Sequence, residues 1–278
     1  MRRSSRSRTR FALRQPPDVN TYAGLHAAYY DVIYGDKPYA AEARFVAEQV
    51  QRRAPDAPWP GRLLDLACGT GRHALEFAEM GNSVTGVDYS GDLLEAARRN
   101  AEERGADVTF LNEDIRELDV EDGSFGVITC LFDSIGYLLD NDAIVEALAR
   151  ARDHLAPGGA LVLEFLHAAA MLKHASPVKV RRWPTKEGGI LLRISEVDLD
   201  PARQTMQVRY ELVDLKPGDA GYVHWTETQH NRFFSIDEMR ALLNAAGLSA
   251  ADFVPAYENG TTITDETWHV LVLARRAG

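Results

Sequence analysis

The sequence predicts an α/β fold in which one parallel sheet is wrapped by helices, with a helical lead-in and an antiparallel insertion before the last elements. Two observations carry this. Short apolar runs alternate with longer helical patterns from Arg62 to about Phe165, the rhythm of strands joined by helical crossovers. Beyond residue 177 strand-like runs follow one another across short turn segments, which hairpins connect and crossovers do not. A chain of 278 residues, 45% hydrophobic and 26% charged, is globular in composition and suits one elaborated domain, so pervasive disorder, collagen and a membrane bundle are excluded. No apolar run approaches the ~20 residues of a bilayer-spanning helix.

Residues 1–18 read as an unfolded basic tail, Ser- and Arg-rich and without periodicity. Its apolar run, Phe11 to Leu13, is too short for a signal-peptide core. Residues 19–55 read as helical: aromatic residues stand at 22, 29, 30 and 34, and 39–51 repeats Ala, Phe and Val at helical spacing until Pro55, Pro58, Pro60 and Gly61 break it. The core, 56–177, opens with a strand over 62–66, the loop Ala67-Cys-Gly-Thr-Gly71 and a helix to Glu79 that stops at Gly81. A strand over 83–87 is closed by Asp88, and Ser90 caps a helix to about Glu103. Strands over 108–111 and 125–131, a helix over 141–154 and, after a Pro157-Gly-Gly159 turn, a strand over 160–165 follow. The insertion, 178–233, holds strand-like runs over 190–197, 205–213 and 223–233. In 234–278, Ser235 caps a helix over 236–246 ended by Gly247, and strands are expected over 251–257 and 267–274.

Arg2, Arg3, Arg6, Arg8, Arg10 and Arg14 lie in the tail; without them 25 basic residues face 41 acidic ones, a body at −16. Such a body repels phosphate backbones, which disfavours nucleic acid and favours a cationic or neutral small molecule. Cys68 and Cys130 make no disulfide framework, which points to a reducing cytoplasm. His224, His230 and His269 have no Asp or His partner at ligand spacing, so no metal is assigned.

Asp65-Leu-Ala-Cys-Gly-Thr-Gly71 sits where a strand meets a helix, the position at which an α/β sheet receives a nucleotide-like ligand. Gly69 and Gly71 permit a tight turn and close ligand approach, and Asp88 is placed to accept from a ribose diol. Taken alone, the glycines also fit a dinucleotide fingerprint or a tight turn that binds nothing. Asp65 would be repelled by a pyrophosphate, yet it can accept from an α-ammonium group. After the third strand, Asp114 is suited to an adenine amino group and Ile115 to the ring face. This acidic set fits the cationic cofactor S-adenosylmethionine better than NAD.

Leu64-Asp-Leu-Ala-Cys-Gly-Thr-Gly71, Gly86-Val-Asp88-Tyr-Ser90, Glu113-Asp114-Ile115 and His154-Leu-Ala-Pro-Gly-Gly159, in that order, resemble class I S-adenosylmethionine-dependent methyltransferases over residues ~60 to 166. The resemblance implies a Rossmann-like sheet of seven strands, the last one antiparallel. It also implies a cofactor site of Tyr30, Asp65, Ala67, Gly69, Gly71, Asp88, Tyr89, Asp114, Ile115 and Leu131, with Ala67 standing where the family often has glycine. A narrower resemblance, to the small-molecule N-methyltransferases of antibiotic biosynthesis that act on aminosugars and lincosamides, rests on other segments. These are Tyr22, Tyr29-Tyr-Asp-Val-Ile-Tyr34, Lys37, Tyr39-Ala-Ala-Glu-Ala43, Leu131-Phe-Asp-Ser-Ile-Gly-Tyr-Leu138 and Arg232-Phe-Phe-Ser235. It implies an N-terminal helical lid with tyrosines over the cofactor and a small antiparallel sheet against the acceptor pocket.

Methyl transfer from a sulfonium is an in-line displacement, so the protein mainly holds a neutral acceptor nitrogen behind the methyl carbon. Tyr22, Tyr30, Phe132 and Tyr137 are the catalytic candidates, and His167 is a further candidate base. On one continuous helix Tyr22 and Tyr30 lie about 80° apart and face Phe132. Each also has a plain reading: tyrosines packed on the sheet, Phe132 in the core, His167 in a surface loop. Cys130-Leu-Phe-Asp133 stands where nucleobase amino-methyltransferases carry Asn-Pro-Pro-aromatic, which disfavours them. An O-methyltransferase would want a stronger base such as a His-Asp pair, and an NAD-dependent oxidoreductase or a non-catalytic ligand-binding protein are the alternatives of other classes. The acceptor, the number of methyl groups and the choice between monomer and homo-oligomer are not encoded in these motifs.

Overall fold

In β1 (Arg62–Leu66), Leu63 and Leu64 point to opposite faces of a sheet and both are fully buried, so the strand is covered by helices on each side. The computed structural model describes residues 22, 24–120, 124–218, 220–258, 260 and 262–277; the basic tail expected over 1–18 lies outside the described residues. Two helices, α1 (Leu25–Tyr34) and α2 (Tyr39–Arg53), precede β1. From β1 the chain alternates through α3 (Arg72–Glu79), β2 (Ser83–Asp88), α4 (Gly91–Arg104), β3 (Val108–Asn112), β4 (Phe125–Cys130), α5 (Asn141–Asp153) and β5 (Leu155–Leu166). After α6 (Ala168–His174) come β6 (Val178–Pro184), β7 (Ile190–Asp200), β8 (Thr205–Leu215) and β9 (Tyr222–Arg232), then α7 (Ile236–Ala245), β10 (Leu248–Pro255) and β11 (His269–Arg276).

The large sheet has seven strands in the order β10-β11-β5-β4-β1-β2-β3. Pairs among β1 to β5 are parallel, while β11 runs antiparallel to both β5 and β10. The expected sheet, reversed only in its last strand, is therefore present. On one face Leu64 and Leu66 pack with Leu148, Met239 and Leu243; on the other Leu63 packs with Val46, Leu75 and Leu94. Each such leucine stabilises the layer by roughly 2 kcal/mol relative to exposure. Both expected serine caps form: Ser90 accepts from the Leu93 amide and Ser235 from the Glu238 amide. Among the described residues no helix is long and apolar enough to cross a membrane.

Four expectations are corrected. The helix expected to start at Tyr22 starts at Leu25, because Tyr22 (φ 57°) and Gly24 (φ 56°) stand in left-handed backbone that no α-helix continues. β5 begins at Leu155, before the Pro-Gly-Gly segment: Phe125 pairs with Leu155 and Val127 with Ala160, so that segment is an irregularity within the strand. Two elements are additional. α6 occupies what reads as a loop, and β6, the exposed edge of the four-stranded β6-β7-β8-β9 sheet, carries three basic residues that mask its alternation.

Candidate active site

Asp65 is the last residue but one of β1, buried in the core, and after Leu66 the chain reverses through Ala67 (φ 52°), Gly69 (φ 56°) and Gly71 (φ 74°) before α3. Gly71 is dictated by packing as well as by backbone, since a Cβ there would lie 2.8 Å from the Phe110 ring. Ala67 pays the left-handed cost that a glycine would avoid. Asp88, at the end of β2, accepts from the Gly69 amide through Oδ2 and from the Ser90 amide through Oδ1, both at 2.8 Å. Burial pushes Asp88 up to about 6 despite these donors. Asp65 accepts from the Thr129 hydroxyl at 2.7 Å, and burial raises it, too, to about 6, against the opposing influence of His73.

Tyr30, Asp65, Ala67, Gly69, Leu131 and Phe132 line one cleft, with Arg72 and His73 also in its wall. No residue of the four-stranded sheet belongs to it. The donor set fits S-adenosylmethionine. Two buried carboxylates, Asp65 and Asp88, are acceptors of the kind an ammonium and a diol require, and Arg72 Nε, buried without a hydrogen-bond partner, is a free donor of the kind the carboxylate of the methionine end requires. Sequence patterns did not mark Arg72, because a single arginine after a glycine loop is common. Asp114 is engaged locally: its carboxylate takes the Arg116 amide and guanidinium, which hold it below the usual range against the cost of burial. Ile115 packs on the core beside it. Tyr89, 42% exposed, lies at the end of β2, its carbonyl held by Asn112.

Tyr22 and Tyr30 do meet, their ring centroids 5.6 Å apart, but by the left-handed turn before α1 and not along a helix face. The Tyr22 and Tyr137 hydroxyls are 2.6 Å apart, and Tyr137 donates to Gln229 of β9 at 3.0 Å. Phe132 touches Tyr34 at 5.3 Å and lies under Lys37 Nζ at 4.7 Å. Burial, reinforced by neighbouring phenols, pushes Tyr22, Tyr30 and Tyr137 well above the ordinary tyrosine value. All three stay protonated near neutral pH and are donors and walls, not bases. His167 is buried, bonded to the Thr267 carbonyl at 3.1 Å, so it is a packing residue and not the expected loop residue.

Behind Phe132 stands a polar hub that sequence spacing does not reveal. Phe132 and Asp133 both have φ 57°, and Glu164, 1% exposed, accepts from the Phe132 amide at 2.8 Å and from Tyr257. His269 lies 3.0 Å from Glu164 and 3.3 Å from Asp133. Asp133 and then Glu164 raise its pKa far above the ordinary histidine value. Thus His269 does have acidic partners, drawn from the loop after β4 and from β5, which a search for nearby ligand spacing misses. The three side chains converge closely enough to hold an ion, with both carboxylates facing one ring nitrogen, Nδ1, of His269. His26 of α1 and Glu227 of β9, 2.7 Å apart, are a second pair that only the folded chain brings together.

Residues 63–159 match the family described as a methyltransferase domain. The chain is 30% identical over 242 residues to the dTDP-3-amino-3,6-dideoxy-α-D-glucopyranose N,N-dimethyltransferase of Streptomyces fradiae, covering 86% of this chain and 89% of that one. To the dTDP-3-amino-3,4,6-trideoxy-α-D-glucopyranose N,N-dimethyltransferase of Streptomyces venezuelae it is 32% identical over 227 residues, 80% and 90% of the two chains. Its structure resembles S-adenosylmethionine-bound CalS10, an amino pentose methyltransferase from Micromonospora echinaspora, with a TM-score of 0.69 and 27% identity, covering 92% of this chain and 98% of that one. Likeness of this extent, laid over the reversed last strand and the acid-flanked glycine loop, makes the chain a member of the S-adenosylmethionine-dependent methyltransferase family.

Proposed function

We propose that the protein methylates the amino group of a small deoxysugar intermediate of antibiotic biosynthesis, using S-adenosylmethionine and releasing S-adenosylhomocysteine. The observation that carries this reading is the cluster of Tyr22, Tyr30 and Tyr137 at the cofactor cleft, held shut by Gln229 and Glu227 of the insertion. The two curated relatives act on dTDP-linked aminodeoxysugars, which supports an amine acceptor of that size. Asp88 takes the ribose diol, Asp65 and the Ala67 loop the methionine ammonium, and Arg72 the methionine carboxylate. Leu131, Ile115 and Tyr89 flank the nucleoside, and Asp114 orients the adenine side while paired with Arg116. Bound there, the cofactor supplies an electrophilic methyl group on a sulfonium.

The chain's own contribution is orientation and exclusion of water. Tyr30 closes over Gly69, with its hydroxyl 3.8 Å from where a Cβ on that glycine would stand. Phe132 and Tyr34 narrow the approach, and the phenols of Tyr22 and Tyr137 hydrogen-bond the acceptor. Holding a nitrogen on the line of attack supplies ~7 to 11 kcal/mol of barrier lowering. We place this reaction in the cytoplasm, a reading supported by the free thiols of Cys68 and Cys130.

The test incubates the protein with S-adenosylmethionine and dTDP-3-amino-3,6-dideoxy-α-D-glucopyranose, and reads mono- and dimethylated sugar by mass spectrometry. Methylation of the corresponding 3-hydroxy sugar, with none of any amino sugar, would overturn it. That outcome is the second reading, an O-methyltransferase, whose alcohol acceptor needs a stronger base than an amine does.

A further inference from the structure

His26 lies on α1, 1% exposed, with its Nδ1 2.7 Å from Glu227 Oε2. Its Nε2 is buried and has no hydrogen-bond partner. A polar ring nitrogen left in this state is a standing desolvation cost, which folded proteins seldom retain without a use. Glu227 also accepts from the Tyr22 amide at 3.3 Å and from Gln229 Nε2 at 2.6 Å through Oε1. Burial opposes its ionisation, but the bonds from His26, Gln229 and the Tyr22 amide hold it below the usual carboxylate range. A carboxylate that only accepts places the proton of a neutral His26 on Nδ1, which leaves the lone pair on Nε2.

Two phenol rings pack against the imidazole and join it to the tyrosine cluster. The Tyr22 ring lies 4.9 Å from His26 and the Tyr210 ring of β8 5.7 Å from it. Tyr22 in turn touches Tyr30 and Tyr137, so His26 is one ring removed from the wall of the cofactor cleft. The other charged groups near it have their own engagements: Arg193 of β7 lies against Tyr210 at 5.3 Å, and Asp92 of α4 accepts from the Gly24 amide at 2.6 Å.

We propose that His26, oriented by Glu227, is the base that deprotonates the acceptor ammonium. The proposal rests on the amine-acceptor reading above. One ammonium N–H bond breaks, its proton bonds to Nε2 and its electron pair stays on nitrogen. That pair forms the new N–C bond while the bond from the methyl carbon to sulfur breaks, its electrons remaining on sulfur. The imidazolium, stabilised by Glu227, passes its proton to water once the lid opens.

The experiment compares kcat/KM against pH for the parent, His26→Gln and Glu227→Gln, with dTDP-3-amino-3,6-dideoxy-α-D-glucopyranose as acceptor and S-adenosylmethionine binding checked by calorimetry. Expected for His26→Gln is a loss of about 100-fold near pH 7 that shrinks below about tenfold above the pKa of the amine, with unchanged cofactor affinity. Imidazole added to His26→Ala should restore part of the rate at neutral pH. Glu227→Gln should show the same pH-dependent loss at about tenfold, and it carries the test if His26→Gln does not fold. An active parent whose variants lose the same factor at both pH values, or lose nothing, overturns this assignment alone. A parent inactive on every amino sugar overturns the acceptor reading and this base with it.

Discussion

Asp88 and Asp65 are asked to be ionised in a place that resists ionisation. Both stand near 6 because of burial, against about 3.9 for an unfolded aspartate. Between those values the folded chain binds more protons than the unfolded one, so each group lowers stability as pH rises through the window, and the cost is complete above about 6. Asp65→Asn should therefore raise the melting temperature of the cofactor-free protein at pH 7.5 while weakening cofactor binding, measured by scanning calorimetry and titration. In the parent, cofactor affinity should fall as pH drops through about 6, where the acceptors become protonated. Asp88→Ala should cost on the order of 1.5 to 3 kcal/mol of binding; unchanged affinity in that variant would remove Asp88 from the site. These residues were legible because loop, strand end and cap are contiguous in sequence. His26 and Glu227, 201 positions apart, and Glu164 with His269 were not, since nothing local marks a pair that forms only when separate elements dock.

At the scale of elements, α1 is a strap tied at both sides. Toward the core, Asp31 accepts from the Thr70 hydroxyl at 2.8 Å and from Asn100 Nδ2 at 2.9 Å, and Ser90 donates to the Tyr22 carbonyl at 2.9 Å. Toward the insertion, Tyr29 donates to Asp214 and Arg193 donates to the Tyr34 hydroxyl. Thr70 belongs to the glycine loop, so the strap is latched to a segment that lines the cleft. Asp31→Ala should speed release of S-adenosylhomocysteine in stopped-flow traces and raise KM for the cofactor about tenfold, with a smaller effect on stability. Strand and helix periods were readable wherever an element buries one face. β6 was hidden because it buries almost nothing, and the start of α1 because left-handed backbone at Tyr22 has no compositional signal when the residue is not glycine.

Over the whole molecule, the proposed acceptor side lies where three units meet: the loop after β4, the strap and the four-stranded sheet. No residue of that sheet lines the cleft of Tyr30, Asp65 and Gly69. Replacing 178–232 with a short glycine linker should abolish turnover, yet leave S-adenosylmethionine affinity within about tenfold of the parent by calorimetry, the residual loss coming from a looser strap. Greater loss in a variant that still folds would mean that the insertion builds part of the nucleotide site. The seven strands of the large sheet and its reversed last strand followed from the family resemblance. The docking of insertion onto strap did not, because it is made by single polar contacts and ring pairs between distant segments and not by a repeated apolar pattern.

One of those ring pairs makes the motion of the strap visible to light. Tyr29 stacks on Trp225 at 5.5 Å and 28°, while its hydroxyl is bound by Asp214. An indole in van der Waals contact with a phenol emits differently from one facing water, so separation of α1 from β9 should change the emission of Trp225 without any label. Trp59 packs on Phe77 within the core and does not face the strap. A fluorescence transient on adding S-adenosylmethionine that disappears in Trp225→Phe would time the closing of the enzyme over its cofactor, turnover by turnover.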